Sequence, residues 1–90
     1  MITHSVLSRV IKKGNLTWTH HNGIVNHYGD GSGDPIKIRT TKEFSEIKLL
    51  LNPSIQFGES YMNGSLIIDE GRIHDLLKLL FTNSKVDVDH

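Results

Sequence analysis

The chain has 90 residues and a mass of 10.2 kDa, which fits one small domain with one modest hydrophobic core. Apolar residues make up 37% and charged residues 22%, values typical of a globular chain rather than a disordered or fibrous one. There is no cysteine, which excludes disulfides, thiolate metal sites and a cysteine nucleophile, and the net charge of zero argues against a nucleic-acid-binding domain.

The charge is unevenly divided between the two halves of the chain. Residues 1–45 carry six basic side chains against three acidic ones, and residues 46–90 carry four against seven. The halves therefore have net charges of +3 and −3. This asymmetry would orient the domain near a charged surface.

The first predicted element is a helix over residues 3–13. Its apolar residues recur with a period of about 3.6, at Ile2, Val6, Leu7, Val10 and Ile11. Its basic residues lie largely off that stripe, at Arg9, Lys12 and Lys13. Two interpretations follow: a core helix with a solvated basic side, or a surface helix that docks on anionic membrane lipid.

Three predicted strands come next. The first two contain Leu16 to Trp18 and Ile24 to Tyr28, on either side of an Asn22-Gly23 pair that is typical of a type I′ hairpin turn. A second turn over residues 29–35 leads into a third strand, residues 36–39, where apolar and basic residues alternate.

The second half of the chain is predicted to be mainly helical. Thr40 and Glu43 have the spacing of a capping box, and the helix that follows must end before Asn52-Pro53. Its predicted core stripe is Phe44, Ile47, Leu50 and Leu51. A short helix is expected around residues 58–62 within a loop, followed by a fourth strand at residues 65–68.

A last helix is predicted from an apolar stripe at Ile73, Leu76, Leu77 and Leu80. The expected fold class is α+β, with a small antiparallel-leaning sheet of about four strands and helices packed on one face. Residues 1–83 form the expected single domain, and residues 84–90 a linker or frayed tail.

Two candidate sites have ordinary structural explanations. The glycines of residues 30–33 run into Pro35 and a strand rather than into a helix, which favours a β-turn over a phosphate-binding loop. Three histidines near the hairpin, His20, His21 and His27, invite a metal site but lack a fourth ligand, so exposed hairpin histidines are the favoured interpretation. No catalytic residue, cofactor-binding residue or metal ligand is predicted.

The most informative segment is residues 57–64, with the sequence Phe-Gly-Glu-Ser-Tyr-Met-Asn-Gly. One interpretation makes Tyr61 and Met62 core contacts. The other makes Glu59 a contact to a ligand or to another domain, because a carboxylate between apolar neighbours needs a partner if it is buried.

Residues 58–64 resemble the Gly-Glu-(Ala/Ser)-Tyr-Met-Asp-Gly motif in the N-terminal domain of the cyclopropane-fatty-acyl-phospholipid synthase family. The order of Leu16-Thr17-Trp18, Tyr28-Gly29 and residues 33–39 is also similar to that family, so the resemblance spans about residues 5–82. Asn63 departs from the motif, which has Asp at this position.

The resemblance implies a lipid- and substrate-handling domain with a sterol-carrier-like fold, attached to an S-adenosylmethionine-dependent methyltransferase domain. We expect the catalytic domain, and with it the cofactor, to lie outside this sequence. The implied partners are a methyltransferase domain, in cis or in trans, and weakly a phospholipid membrane surface, with no nucleic acid. The candidate contact residues are Glu59, Tyr61, Met62, Arg9, Lys12 and Lys13.

A second function class remains open: a stand-alone module that binds a small ligand or a protein and lacks the family's chemistry. The longest apolar runs, such as Leu49 to Leu51, span three residues, far short of the ~18 that a membrane span needs. The expected location is cytoplasmic, with peripheral contact at the inner membrane face under the first hypothesis.

Overall fold

A computed structural model describes the backbone of residues 7–88 and the side chains of residues 7–83. The part of the first helix that it describes, α1, covers residues 7–10. The remaining elements, in chain order, are β1 (Leu16–Thr19), β2 (Val25–Tyr28), β3 (Ile36–Thr40), α2 (Glu46–Leu51), α3 (Pro53–Asn63), β4 (Leu66–Glu70) and α4 (Ile73–Val88).

The four strands form one mixed sheet in the order β2-β1-β3-β4. β1 pairs antiparallel with β2, and β3 pairs antiparallel with β4. The central pair, β1 and β3, is parallel, with Leu16 opposite Ile36. Two of the three pairings are antiparallel, and helices pack on the sheet, so the predicted α+β class is confirmed.

One face of the sheet forms the core. Along β1 and β3 every second residue is buried, and the core residues alternate with exposed ones such as Lys37 and Arg39. The helices contribute further fully buried side chains, of which the largest are Phe57 of α3, Leu49 of α2 and Leu76 of α4. The exposed face carries two ion pairs, Lys37–Glu70 and Arg39–Asp69.

Trp18 lies at the centre of this core and is fully buried. Its ring packs edge-on against Phe44 and Phe57, with ring centroids 5.5 Å and 5.9 Å away. Its indole Nε1–H donates a 2.9 Å hydrogen bond to Oγ1 of Thr40. Thr40 is therefore a buried strand residue, and the predicted capping box at Thr40 and Glu43 is wrong.

The helix α2 begins later and turns a different face inward than predicted. Its N-cap is Ser45, whose hydroxyl accepts from the amide of Lys48. Leu49 is fully buried, whereas Ile47 and Leu51 are 76% and 81% exposed. The prediction failed because four of the six residues of α2 are apolar, so the sequence does not mark which face is the core.

The helix α3 is longer than predicted. Asn52 caps its N-terminus by accepting from the amide of Ile55, Pro53 occupies the first turn, and Gly64 ends it in the left-handed region at φ 87°. Asparagine, proline and glycine at these positions are ordinary helix-boundary signals. The boundaries could therefore have been found from the sequence.

The turn between β1 and β2 differs in type from the prediction. The amide of Gly23 donates to the carbonyl of His20, so His21 and Asn22 are the central residues. Gly23 has φ 89°, whereas no non-glycine residue in the described range, His21 and Asn22 included, has a positive φ. A type I turn followed by a left-handed glycine closes the hairpin, and the type I′ prediction is wrong.

The predicted helix 3–13 is described only from residue 7, and its helical backbone ends at residue 10. Leu7 and Ile11 are buried as predicted. After the helix, the amides of Lys12 and Lys13 both donate to Oδ1 of Asn83, at 2.9 and 3.0 Å. The Asn83 amide in turn donates to the carbonyl of Lys13.

We expect Asn83→Ala to lower the free energy of unfolding by about 2–3 kcal/mol, because it leaves two part-buried amides and a carbonyl without partners. The control is Thr82→Ala, which truncates the neighbouring exposed side chain and should change the free energy of unfolding by less than about 0.5 kcal/mol. Urea denaturation followed by circular dichroism compares the two variants. A loss for Asn83→Ala no larger than that for Thr82→Ala would contradict this role.

The core stripe of α4 is largely as predicted. Leu76 is fully buried and Leu80 nearly so, while Ile73 and Leu77 are partly buried against the core. The helix continues through residues 84–88, where the sequence predicts a polar tail, since no glycine or proline interrupts it. Residues 89 and 90 lie outside the described range, and the division at residue 83 stays a prediction.

Candidate functional site

The motif of residues 58–64 forms the second half of α3 and the cap that ends it. Phe57 and Ser60 point into the core, at 0% and 1% exposure. Tyr61 is 47% exposed, Met62 is 81% exposed, and Glu59 is also exposed. The interpretation of Tyr61 and Met62 as core contacts is therefore wrong, and these side chains are available to a partner.

Further apolar side chains on α2 and α3 point outward. Ile47 and Leu51 are four residues apart in α2, and Ile55 and Met62 are two turns apart in α3, so each pair lies on one face of its helix. We call the set of exposed apolar side chains on these two helices the α2–α3 apolar surface; it consists of Ile47, Leu50, Leu51, Ile55, Tyr61 and Met62. The two helices pack against each other, and exposed apolar groups that lie together are typical of interaction sites.

The three basic candidate residues lie at the end of α1 and just after it. Arg9, Lys12 and Lys13 are all exposed, and none forms an ion pair with any residue in the described range. The backbone of Lys12 and Lys13 is held by Asn83, so their side chains project from a fixed position. The structure places this basic segment and the motif on different elements.

The hairpin histidines occupy three different environments. His21 and His27 are exposed, and Nδ1 of His27 lies 3.1 Å from the hydroxyl of Thr17. His20 is buried, and its ring stacks on Trp18 with centroids 4.5 Å apart. The prediction of an exposed His20 is wrong, because an aromatic neighbour two residues away covers the ring. Over residues 7–83, no group of three potential ligands is placed to hold a metal ion.

A polar cluster lies beside His20, where the core face of β2 meets the start of α2. The side-chain amide of Asn26 lies 2.9 Å from Nε2 of His20 and also hydrogen-bonds with Tyr28. Glu46, in the first turn of α2, is the acidic neighbour of Tyr28. Burial raises the pKa of Tyr28 from 10.0 to about 12. The hydrogen bond with Asn26 opposes this shift, and the charge of Glu46 adds to it.

We expect this shift to make stability fall at alkaline pH. A raised pKa in the folded state means that the neutral phenol stabilises the fold below pH 10.0 and that this contribution is lost as the pH rises to about 12. The free energy of unfolding, measured by urea titration across that range, should decline less steeply in Tyr28→Phe. Equal slopes for the two proteins would contradict the assignment.

The glycine-containing segment that follows β2 is a turn, as predicted. Oδ1 of Asp30 accepts hydrogen bonds from the hydroxyl of Ser32 at 2.6 Å, the amide of Ser32 at 3.0 Å and the amide of Gly14 at 3.2 Å. These donors stabilise the carboxylate and lower the pKa of Asp30 to about 2. The amide of Gly31 also donates to the carbonyl of Gly14, which ties the turn to the chain before β1.

This turn forms one wall of an open cleft of about 680 Å³. The other walls are the segment before β1, the turn between β4 and α4, and one side of α4. We call it the α4 cleft. Its charged lining residues are Lys13, Asp34, Glu70, Asp75 and Lys78. No residue of the motif at 58–64 lines it, so the cleft and the α2–α3 apolar surface are separate candidate sites.

Comparison with known proteins places the chain in a family. Residues 2–89 match the family model described as domain of unknown function DUF7884. The chain belongs to the DUF7884 family. No curated protein and no solved structure matches this DUF7884 chain. The resemblance to the cyclopropane-fatty-acyl-phospholipid synthase family, including the sterol-carrier-like fold, stays a prediction.

Sequence reasoning missed both the α4 cleft and most of the α2–α3 apolar surface. The cleft is assembled from three stretches that lie far apart in the sequence of this DUF7884 domain, residues 13–15, 32–36 and 70–82, so no local pattern marks it. The apolar surface did have a signal, because the run from Ile47 to Leu51 holds more apolar residues than one helix face can bury. Within residues 7–88, no helix has the length and apolar character needed to cross a bilayer.

Proposed function

We propose that this DUF7884 domain is a non-catalytic accessory domain of a methyltransferase similar to cyclopropane-fatty-acyl-phospholipid synthase, and that it helps the enzyme to handle its phospholipid substrate. The observation that carries the proposal is the exposure of Tyr61 and Met62. Because these two large apolar side chains are not buried in the core, core packing does not explain their presence in the motif. Contact with a second domain or with lipid explains it.

We assign the two proposed contacts to two separate surfaces, one apolar and one basic. The α2–α3 apolar surface contains the motif and is the proposed contact with the methyltransferase domain, in cis or in trans. Arg9, Lys12 and Lys13 are the proposed contact with anionic phospholipid at the inner face of the membrane. Each basic side chain near such a surface contributes roughly 1 kcal/mol, and salt screens it beyond ~10 Å at 0.1 M.

Activity in trans tests the docking surface. A methyltransferase domain of the cyclopropane synthase type, purified without its N-terminal domain, should gain activity on phospholipid vesicles with S-adenosylmethionine when this chain is added. Tyr61→Ala/Met62→Ala should reduce the gain at least about tenfold, equivalent to ~1.4 kcal/mol of docking energy. The control, Ile24→Ala/Val25→Ala, removes two exposed apolar side chains of the hairpin and should leave the gain unchanged.

Vesicle co-sedimentation tests the lipid contact. Binding should rise with the fraction of anionic lipid, fall in high salt, and drop in an Arg9→Gln/Lys12→Gln/Lys13→Gln variant. The matched control, Lys37→Gln/Lys42→Gln/Lys48→Gln, removes the same charge from other exposed positions. Equal loss of binding in the two triple variants would show that net charge alone is responsible and would remove the N-terminal segment from the proposal.

The α4 cleft favours a second candidate function, a stand-alone module that binds a small ligand. Its volume of about 680 Å³ lies within the ~300–1,000 Å³ typical of small-molecule sites. This candidate predicts ligand binding with no stimulation of any methyltransferase domain. The trans-activity experiment therefore distinguishes the two functions.

A further inference from the structure

The position of the α4 cleft follows from the topology of the sheet. β1 and β3 are parallel, so both begin at the same edge of the sheet, and β4, antiparallel to β3, ends there. The chain segments just before β1 and β3 and just after β4 therefore meet at that edge, where α4 covers them. A cleft with walls from four segments is the result.

The lining of the cleft carries two lysines and three carboxylates, and two of these carboxylates are already in ion pairs. Glu70 is paired with Lys37 at 3.5 Å, and Asp75 with Arg72 at 3.7 Å. Arg72 also donates its backbone amide to Asp75 at 3.1 Å. Both carboxylates are therefore occupied by cations that do not line the cleft.

The other three charged side chains have no such partner. Lys13 and Lys78 approach from different walls, one before β1 and one on α4, and both are exposed. Neither they nor Asp34, which follows the glycine turn, takes part in an ion pair within the described range. The cleft thus offers two ammonium groups and one carboxylate to a ligand.

An apolar wall lies next to these charges. Pro35, Ile36 and Leu79 line the cleft, and Leu79 is half-buried against the core. The backbone at Gly71 also approaches Ile36, since a Cβ added at this glycine would lie 3.4 Å from that side chain. A short hydrocarbon segment of a ligand can pack against this wall.

We infer that the α4 cleft binds a small phosphate ester that carries an amine. A phosphate monoester has a charge of about −1.5 to −2 at pH 7 and matches the two lysines, which bind phosphate as point charges. Asp34 matches the ammonium group of the ligand, and the apolar wall matches the carbon chain between the two. The inference uses neither Tyr61 nor Met62 and shares only Lys13 with the proposed lipid contact, so Lys78→Gln alone tests the cleft without altering that contact.

The probe for the test is O-phosphoethanolamine, titrated into the 90-residue chain and followed by backbone amide chemical shifts. We expect saturable shifts confined to residues 13–15, 32–36, 70–71 and 78–82, with a Kd at or below about 1 mM. Ethanolamine and inorganic phosphate, each with half of the recognised chemistry, should bind at least about fivefold more weakly.

Charge variants test the assigned roles. Lys13→Gln/Lys78→Gln should weaken binding about tenfold, and Lys78→Gln alone about threefold to fivefold. Lys42→Gln/Lys48→Gln removes the same charge outside the cleft and should leave the Kd unchanged. Absence of shifts up to ~10 mM probe, or an equal effect of the two double variants, would overturn the inference.

A competition experiment identifies the source of the ligand. Vesicles of phosphatidylethanolamine, which present a phosphate diester with an amine, are added to the complex of the chain with the probe. Displacement of the probe supports a site for a lipid headgroup, and lack of displacement supports a site for a soluble phosphate monoester. Either result is compatible with the proposed site. Only the titration and the charge variants described above can reject it.

Discussion

Replacing Trp18 by alanine should lower the free energy of unfolding by about 3–5 kcal/mol, a large share of the ~5–15 kcal/mol typical of small domains. The indole is fully buried and contacts the rings of His20, Tyr28, Phe44 and Phe57. Alanine would leave a cavity where elements from both halves of the chain meet. Urea denaturation followed by far-UV circular dichroism measures the loss.

Two variants of Thr40 separate the packing of Trp18 from its hydrogen bond. Thr40→Val keeps the shape of the side chain but removes the acceptor of the indole N–H, so we expect a loss of about 1–3 kcal/mol. Thr40→Ser keeps the acceptor and loses one methyl group, at a cost of about 0.8 kcal/mol. A Trp18→Ala loss below ~1.5 kcal/mol would contradict the central position of the indole.

Gly29→Ala should destabilise the domain by about 3 kcal/mol, since it combines a conformational penalty with the loss of a contact. Gly29 has φ 96°, and a Cβ there would overlap the backbone carbonyl of Gly14. The turn after β2 would have to move away from Gly14. The hydrogen bond from Gly31 to the Gly14 carbonyl would then be lost.

Gly31→Ala is the matched control for this substitution. Gly31 has φ 84°, but a Cβ there would meet no atom within 4 Å. Its cost should therefore be the conformational penalty alone, about 1–2 kcal/mol. Thermal and urea unfolding of both variants measure the difference. Equal losses would show that the turn does not need its close approach to Gly14.

The sequence was sufficient for the parts of the fold that depend on local patterns. Alternation along residues 36–39 and the spacing of Leu76 and Leu80 identified a half-buried strand and a core helix, because burial of one face leaves a period in the sequence. The same logic failed in α2, where apolar residues cover nearly the whole helix. It also failed for His20, whose burial depends on stacking against Trp18.

The candidate sites likewise include one feature with a local sequence pattern and another that depends on the assembled fold. The motif at residues 58–64 could be identified from the sequence, but the exposure of Tyr61 and Met62 depends on which face of α3 packs inward. The parallel pairing of β1 with β3 is a property of the topology and has no local signature. The α4 cleft depends on that pairing, so it could be described only from the assembled fold.

The hydrogen bonds between Asn83 and the segment at Lys12 and Lys13 have a consequence for synthesis of the protein. They join residues 70 and 71 positions apart in the chain. During translation the amides of Lys12 and Lys13 therefore cannot bond to the Asn83 side chain until residue 83 has left the ribosome. Contacts over such separations close late, so we expect the domain to complete its folding only after residue 83 has emerged. A nascent chain stalled before residue 83 should accordingly remain sensitive to protease near Lys12 and Lys13.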